Sequence, residues 1–275
     1  MVFVYAAAGL TALIILAPFV WLLISSVASP ADLLARPLKW IPRHLSLARY
    51  ASIFHAGTND AAATFRAGMV NSAIIAGSCV AISMAVGIFG AYAFARLRFR
   101  FRRMTLLLFL STYMLPPIAI LIPLYLIMVQ LHLLDTRLGL IVVYCSFITP
   151  YVLWILSGHF RSIPRDLEDA ARIDGCSRMG ALFRVILPLA RSGLLATALF
   201  GFLLAWDEFL YALIFTSSTA AKTIPVAIAE FQGRFAVDFG LVAAGGILAA
   251  IPPLLIAFAF QRYIVSGLAS GAVKG

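Results

Sequence analysis

Six stretches of the chain, residues 3–26, 69–94, 104–129, 138–156, 192–215 and 239–260, are apolar and long enough to cross a bilayer, for which a helix needs about 20 residues. Hydrocarbon offers backbone N–H and C=O groups no water, so each run must pair its own as a helix. The alternating pattern of a membrane barrel is absent. Hydrophobic residues make up 63% of the 275 positions and charged ones 12%, against roughly 25% charged in a soluble domain. An all-α integral membrane protein of one domain, residues 1–275 with six transmembrane helices, is expected.

The formal net charge of +10 does not indicate a nucleic-acid partner. The arginines sit in short clusters between apolar runs, the pattern that orients membrane proteins. Arg96, Arg98, Arg100, Arg102 and Arg103 follow the second run. Arg161, Arg165, Arg172, Arg178, Arg184 and Arg191 follow the fourth, and Arg262 and Lys274 lie in the tail. The opposite connections hold fewer: Arg36, Lys39, Arg43, Arg49, Arg66, Arg137, Lys222 and Arg234. The richer side is expected in the cytoplasm, with both termini there. Ser26-Val27-Ala28 offers a small-residue cleavage site, but no Lys or Arg precedes the first run as a signal peptide requires. That run is expected to stay as a span.

Cys79, Cys145 and Cys176 show no CxxC spacing, so neither a disulfide framework nor a metal site follows. His44, His55, His132 and His159 are scattered, and no catalytic constellation can be assembled from them. Pro116-Pro117 and Pro123 interrupt the third run. Proline removes a backbone donor, which leaves two readings: a plain kink, or a broken helix beside a water-filled path.

Residues 158–191, GHFRSIPRDLEDAARIDGCSRMGALFRVILPLAR, are too polar to span and too patterned for a linker. Pro164 suits the first turn of a helix. Asp166, Glu168 and Asp169 then place negative charge near its start, matching the helix dipole. Ala170 and Ala171 favour helix, and Gly175 supplies a left-handed stop. Ser177 can cap a second helix through Leu182, Phe183 and Ile186 as far as Pro188. The spacing predicts helix, turn, helix at the cytoplasmic face between spans four and five. The Ala-Ala pair lets another surface come close, and the flanking carboxylates can pair with its basic groups.

This insert resembles the coupling loop that membrane subunits of ABC importers seat in a cleft of their ATPase subunit. The family pattern reads E-A-A, three residues, G, nine residues, an aliphatic, one residue, L-P. Here it runs Asp169-Ala170-Ala171, Gly175, Val185, Leu187-Pro188. Asp169 stands where Glu is usual and keeps the charge, with Glu168 beside it. Cys176 and Ser192 replace a common Ala and Pro. The resemblance implies Glu168, Asp169, Ala170, Ala171, Asp174, Gly175, Phe183, Leu187 and Pro188 as the docking residues.

Asn71-Ser72, the stretch AYAFARLRF (residues 91–99), Trp206-Asp207-Glu208-Phe209 and the tail QRYIVSGLASGAVKG (residues 261–275) resemble the carbohydrate-uptake branch, close to the smaller membrane subunit of maltose-type importers. The resemblance implies a multi-pass permease subunit in a bacterial cytoplasmic (inner) membrane, carrying a saccharide, polyol or glycerol phosphate inward by alternating access. Its implied partners are two ATPase subunits holding ATP and Mg, a second membrane subunit, often non-identical, and an extracytoplasmic solute-binding protein. The tail is implied at the ATPase interface. The stretches 30–68, with Trp40, Tyr50 and Phe54, and 217–238 are candidate contacts for the binding protein. None of Lys39, Lys222 or Lys274 sits in G-x-x-x-x-G-K-[ST]. The chain is therefore expected to be no enzyme and to bind no cofactor of its own.

A carboxylate in hydrocarbon costs about 2.5 kcal/mol or more, so Asp207 and Glu208 face the bundle interior or water, or are protonated. Beside Trp206 they suit a sugar, whose hydroxyls donate to an acid and whose C–H face stacks on an indole. Solute contact, cavity or gate lining, and helix packing stay open for Trp206, Asp207 and Glu208, with Asn71 a further candidate. The two acids also keep an ion-coupled secondary transporter as the alternative, and a non-transporting scaffold is a second rival.

Overall fold

The computed structural model describes residues 1–37, 40–42, 44–55, 60–231 and 238–272, with side chains left out at 60–61 and 264–272. Lys39, Arg43, Arg234 and Lys274 lie outside the described residues, as does the end of the tail. The helices used below are α1 (Val2–Val27), α2 (Asp60–Arg96), α3 (Arg102–Met114), α4 (Pro117–Gln130), α5 (Arg137–Ser162), α6 (Arg165–Ile173), α7 (Arg178–Leu189), α8 (Arg191–Trp206), α9 (Leu210–Phe215), α10 (Ile224–Ala229) and α11 (Phe239–Ala272). Four of them, α1, α2, α5 and α11, contain spans apolar and long enough to cross a membrane. Two bent pairs raise the number of spans to as many as six.

One bent pair is α3 and α4, which meet at 94°. The proline ring disfavours the α conformation in the residue before it. Accordingly Leu115 (φ −69°, ψ 128°) and Pro116 (φ −58°, ψ 129°) are both extended, and the chain turns there. Helices of 13 and 14 residues reach only about 20 Å each at 1.5 Å per residue, short of the roughly 30 Å of a hydrocarbon core. The stretch 104–129 is thus a pair of short helices with a sharp break between them rather than one kinked helix. Pro123 lies inside α4 without breaking it.

The chain divides into two compact units. Unit one holds residues 1–70 and 222–252. The apolar length of α1 is uncovered by the rest of the chain, as suits a lipid-facing or partner-facing helix. Around its end, Arg49 pairs with Asp238 at 3.2 Å and donates to the carbonyls of Ser26 and Ala28. The Tyr50 hydroxyl donates to Ser26 Oγ at 2.7 Å. Phe65 and Phe231 stack at 5.6 Å, and Gly245 lies against both rings, where a Cβ would come within 2.9 Å of Phe231.

Unit two holds residues 71–221 and 253–275, with α5 at its centre. Tyr144, Phe160, Leu140, Ile148, Leu156, Val143 and Val152, all on α5, are among the largest fully buried side chains. Helices in lipid gain little from apolar burial, so close van der Waals approach and hydrogen bonds hold them together. Gly87 and Gly90 of α2 permit that approach: a Cβ there would meet Val152 and Leu153 at 2.5 and 2.7 Å. Ser83 Oγ and Thr149 Oγ1 share a 3.0 Å hydrogen bond between the same helices. The thiols of Cys79 and Cys145 lie 3.5 Å apart, both free, a proximity that their sequence spacing does not reveal.

Candidate functional site: the polar insert and the broken fifth span

The insert is two short helices joined by a hydrogen-bonded turn. After α5, Ile163 and Pro164 are extended, and Pro164 takes the N-cap of α6, one position ahead of the first turn. Asp166 and Glu168 stand in that first turn, where carboxylates meet the positive end of the helix dipole. α6 then stops at a Schellman turn. Gly175 adopts φ +88°, its N–H donating to the Arg172 carbonyl at 3.1 Å while that of Cys176 donates to Ala171 at 2.9 Å. This pair of bonds satisfies carbonyls that a helix end otherwise leaves open. Two residues later Ser177 Oγ accepts the Gly180 N–H at 3.1 Å and caps α7. The turn Leu182–Ile186 of α7 widens to π-helical geometry just before Pro188.

One face of the insert is fastened to the end of α2. Glu168 is buried, accepts the Tyr92 hydroxyl at 2.6 Å and pairs with Arg96 Nε at 3.2 Å. Arg96 also donates from Nη2 to the Ile163 carbonyl at 2.9 Å, so it grips the insert at its first turn and at its entrance. Phe183 of α7 meets Phe89 edge-on at 6.2 Å. Phe89, Tyr92 and Arg96 follow the i, i+3, i+7 spacing of one helix face, so a single stripe on α2 holds both helices of the insert. Ala181, Leu182 and Ile186 are fully buried.

The opposite face is open. Asp169, Ala170 and Asp174 are exposed, and Ile173 is 86% exposed with Leu167 at 45%. A short helix seated on one side, with Leu167, Ala170 and Ile173 set among the carboxylates of Asp169 and Asp174 on the other, fits a second surface. The expected docking residues therefore divide. Glu168 faces inward and anchors, Ala171 and Leu187 are half-buried, and Phe183 is half-exposed against Phe89. Asp169, Ala170, Asp174, Gly175 and Pro188 lie outward. The motif carrying Tyr92 and Arg96 is plain in the sequence, but their tie to Glu168 is not.

The fifth apolar run is interrupted at the acids. α8 ends at Trp206, Asp207 takes its C-cap, and α9 restarts at Leu210. Both carboxylate oxygens of Glu208 accept backbone N–H groups of the new helix, from Tyr211 at 2.9 Å and Ala212 at 3.1 Å. Trp206 is 2% exposed and stacked on Phe202 at 5.4 Å, so its ring offers no open face. Asp207 is exposed.

Asn71 belongs to a different arrangement. It is fully buried, accepts Arg137 Nε at 2.8 Å and donates to the Thr219 carbonyl at 3.0 Å. Arg137 also reaches the Ala220 carbonyl, and Asp135 Oδ1 accepts the N–H groups of Ser217 and Ser218 at 2.9 and 3.0 Å. Together these groups brace the loop after α9. Burial alone raises the Asp135 pKa, but hydrogen bonds from Ser218 and Ser217 hold it below its ordinary value.

Relatives and neighbours of known type agree with one another. The chain is 36% identical over 258 residues to the sulfoquinovosyl glycerol transport system permease protein SmoH of Agrobacterium fabrum, covering 94% of this chain and 88% of that one. It is 36% identical over 267 residues to the trehalose/maltose transport system permease protein MalG of Thermococcus litoralis, covering 97% and 94%. Against the trehalose transport system permease protein SugB of Mycobacterium tuberculosis it is 39% identical, covering 86% and 85%. The fold matches a chain of a bacterial ABC transporter that imports the acidic polysaccharide alginate, with a TM-score of 0.79 at 22% identity over 95% of each chain. The ion-coupled alternative finds no support among them. Residues 77–270 match the binding-protein-dependent transport system inner membrane components, and the chain belongs to that family of ABC importer permeases.

Proposed function

We propose that the chain is the permease subunit that moves a sugar or sugar-like solute inward, driven by ATP hydrolysis on separate ATPase subunits docked at α6 and α7. The relatives named above are permeases for glycosides and disaccharides, which supports a saccharide, polyol or glycerol phosphate conjugate as the cargo. Two ATPase subunits carrying ATP and Mg, a second membrane subunit and an extracytoplasmic binding protein complete the assembly. A solved alginate importer in complex with its substrate-loaded periplasmic protein supports the last of these. The arginine-rich loops and both termini face the cytoplasm.

The observation that carries this reading is the two-faced insert. Its inner face is tied to α2 through Glu168, Tyr92 and Arg96, and its outer face presents Asp169, Ala170 and Ile173. Closure of the ATPase subunits moves α6, and the anchor passes that movement to α2 and the spans packed on α5. A flexible insert dissipates the stroke, whereas two capped helices transmit it. The test is uptake by the assembled transporter in proteoliposomes supplied with loaded binding protein. ATP inside the vesicles drives uptake, and an uncoupler leaves it intact. Uptake that collapses with the uncoupler and ignores ATP overturns the reading.

A further inference from the structure

At the arginine-rich end of unit two, a cavity of about 510 Å³ opens beside the insert. Its walls come from the end of α2, the connection Leu97–Phe99, α6 and the first residue of α7. Five guanidinium groups, of Arg96, Arg98, Arg165, Arg172 and Arg178, face two carboxylates, Glu168 and Asp169. Glu168 is already engaged by Arg96 and Tyr92. Among the described residues, Arg98, Arg165, Arg172 and Arg178 form no ion pair. The cavity thus carries an excess of positive charge that the chain itself does not balance.

Helix electrostatics favour Arg172, in the last turn of α6, but not the rest of this charge. Arg165 is the first residue of α6, where a cation opposes the helix dipole. Like charges so close repel one another, and an anion between them relieves both costs. The connection that forms one wall also points to the source of that anion. From Arg96 to Arg103 it reads RLRFRFRR, with Phe99 43% and Phe101 61% exposed and the Arg100 guanidinium 4.9 Å over the Phe101 ring. Alternating basic and aromatic residues at the end of a membrane helix belong at the boundary of headgroups and acyl chains. Basic pockets between helices at the cytoplasmic leaflet suit phosphate-bearing headgroups. A soluble acidic partner needs no row of exposed phenylalanines beside its binding pocket.

We infer that this cavity holds the phosphodiester headgroup of an anionic membrane lipid, gripped by Arg98, Arg165, Arg172 and Arg178. Phe99 and Phe101 lie where the acyl chains leave. The bound lipid tethers α6 to the membrane surface along the flank that carries Arg165, Asp169 and Arg172. This site requires the chain to lie in a bilayer, but not that an ATPase docks on α6.

The test uses the assembled transporter in nanodiscs of phosphatidylcholine with or without phosphatidylglycerol, with the lipids retained after extraction counted by native mass spectrometry. The wild type is expected to retain phosphatidylglycerol. The Arg98→Gln/Arg165→Gln double variant is expected to bind it about 30-fold more weakly, since each basic side chain at a membrane surface is worth roughly fivefold. The matching Lys variants should restore most of it, and the melting temperature in pure phosphatidylcholine should match wild type, which separates lost binding from lost folding. Equal lipid retention by wild type and the Gln variant overturns the proposal. So does protection by inorganic phosphate in pure phosphatidylcholine that equals phosphatidylglycerol, which marks a soluble anion. Loss of ATPase subunits from the Gln variant with lipid retention unchanged also overturns it, since the arginines then serve the partner.

Discussion

Glu168 in the first turn of α6 and Arg96 in the last turn of α2 lie 3.2 Å apart, with side chains 10% and 3% exposed. Their pairing converts a loop between two spans into an extension of a third. A buried ion pair is weak evidence for net stability, but losing one partner leaves an uncompensated charge and costs about 3–5 kcal/mol. Arg96→Ala and Glu168→Ala should each lower the melting temperature of the purified transporter strongly, and the double variant should lose much less than their sum. Tyr92→Phe, which removes a hydrogen bond to a charged group, should cost about 1.5–3 kcal/mol. Additive losses in this cycle contradict the anchor.

Gly175 isolates a backbone effect. A Cβ there meets nothing within 4 Å, so only its φ of +88° opposes a side chain. Gly175→Ala should cost about 1–2 kcal/mol and Gly175→Asn less, because Asn tolerates the left-handed region. Gly175→Pro cannot adopt that φ and should abolish uptake without preventing membrane insertion. Thermal melting of the assembled complex, read beside uptake, checks all three.

Glu208 stands out as a helix cap placed within an apolar run. Glu208→Ala strips acceptors from Tyr211 and Ala212, and each buried N–H left unpaired costs about 1–3 kcal/mol. Glu208→Gln keeps one acceptor oxygen and should retain most of the stability. If the two variants melt alike, Glu208 does not act through the cap.

The Asp135 carboxylate gives acid sensitivity a definite sign. Its pKa is lowered in the folded chain, so its contribution is fully present above the ordinary carboxylate range and is lost as pH falls through the lowered value. Asp135→Ala should therefore lower the melting temperature at neutral pH and converge on wild type in acid. A constant difference across that range contradicts the bonds to Ser217 and Ser218.

Much of this architecture is readable from residue order, because the bilayer makes hydrophobic length decisive. The caps of the insert are equally local: Ser177 and Gly175 do what their side chains and spacing dictate. What local pattern cannot supply is pairing across the chain. Tyr92 and Arg96 sit in a recognisable motif, yet nothing near them names Glu168 as their partner, and Cys79 gives no hint of Cys145. Proline pairs make the same point. Pro116-Pro117 breaks the third run, whereas Pro252-Pro253 stays inside α11, so the dipeptide permits a break and its surroundings decide. The Trp206-Asp207-Glu208 triplet looks like a sugar platform in one dimension. In the structure the helix breaks between Trp206 and Leu210, burying the indole, exposing Asp207 and committing Glu208 to backbone N–H groups.

The most direct test of the docking face is a photoactivatable amino acid placed at position 173, the most exposed apolar site of α6, in the reconstituted and actively transporting complex. The account expects crosslinks to the ATPase subunit that are lost, along with ATP-driven uptake, when Asp169→Lys is introduced, while melting of the permease stays unchanged. Full uptake from a complex in which position 173 labels only lipid or solvent would contradict it.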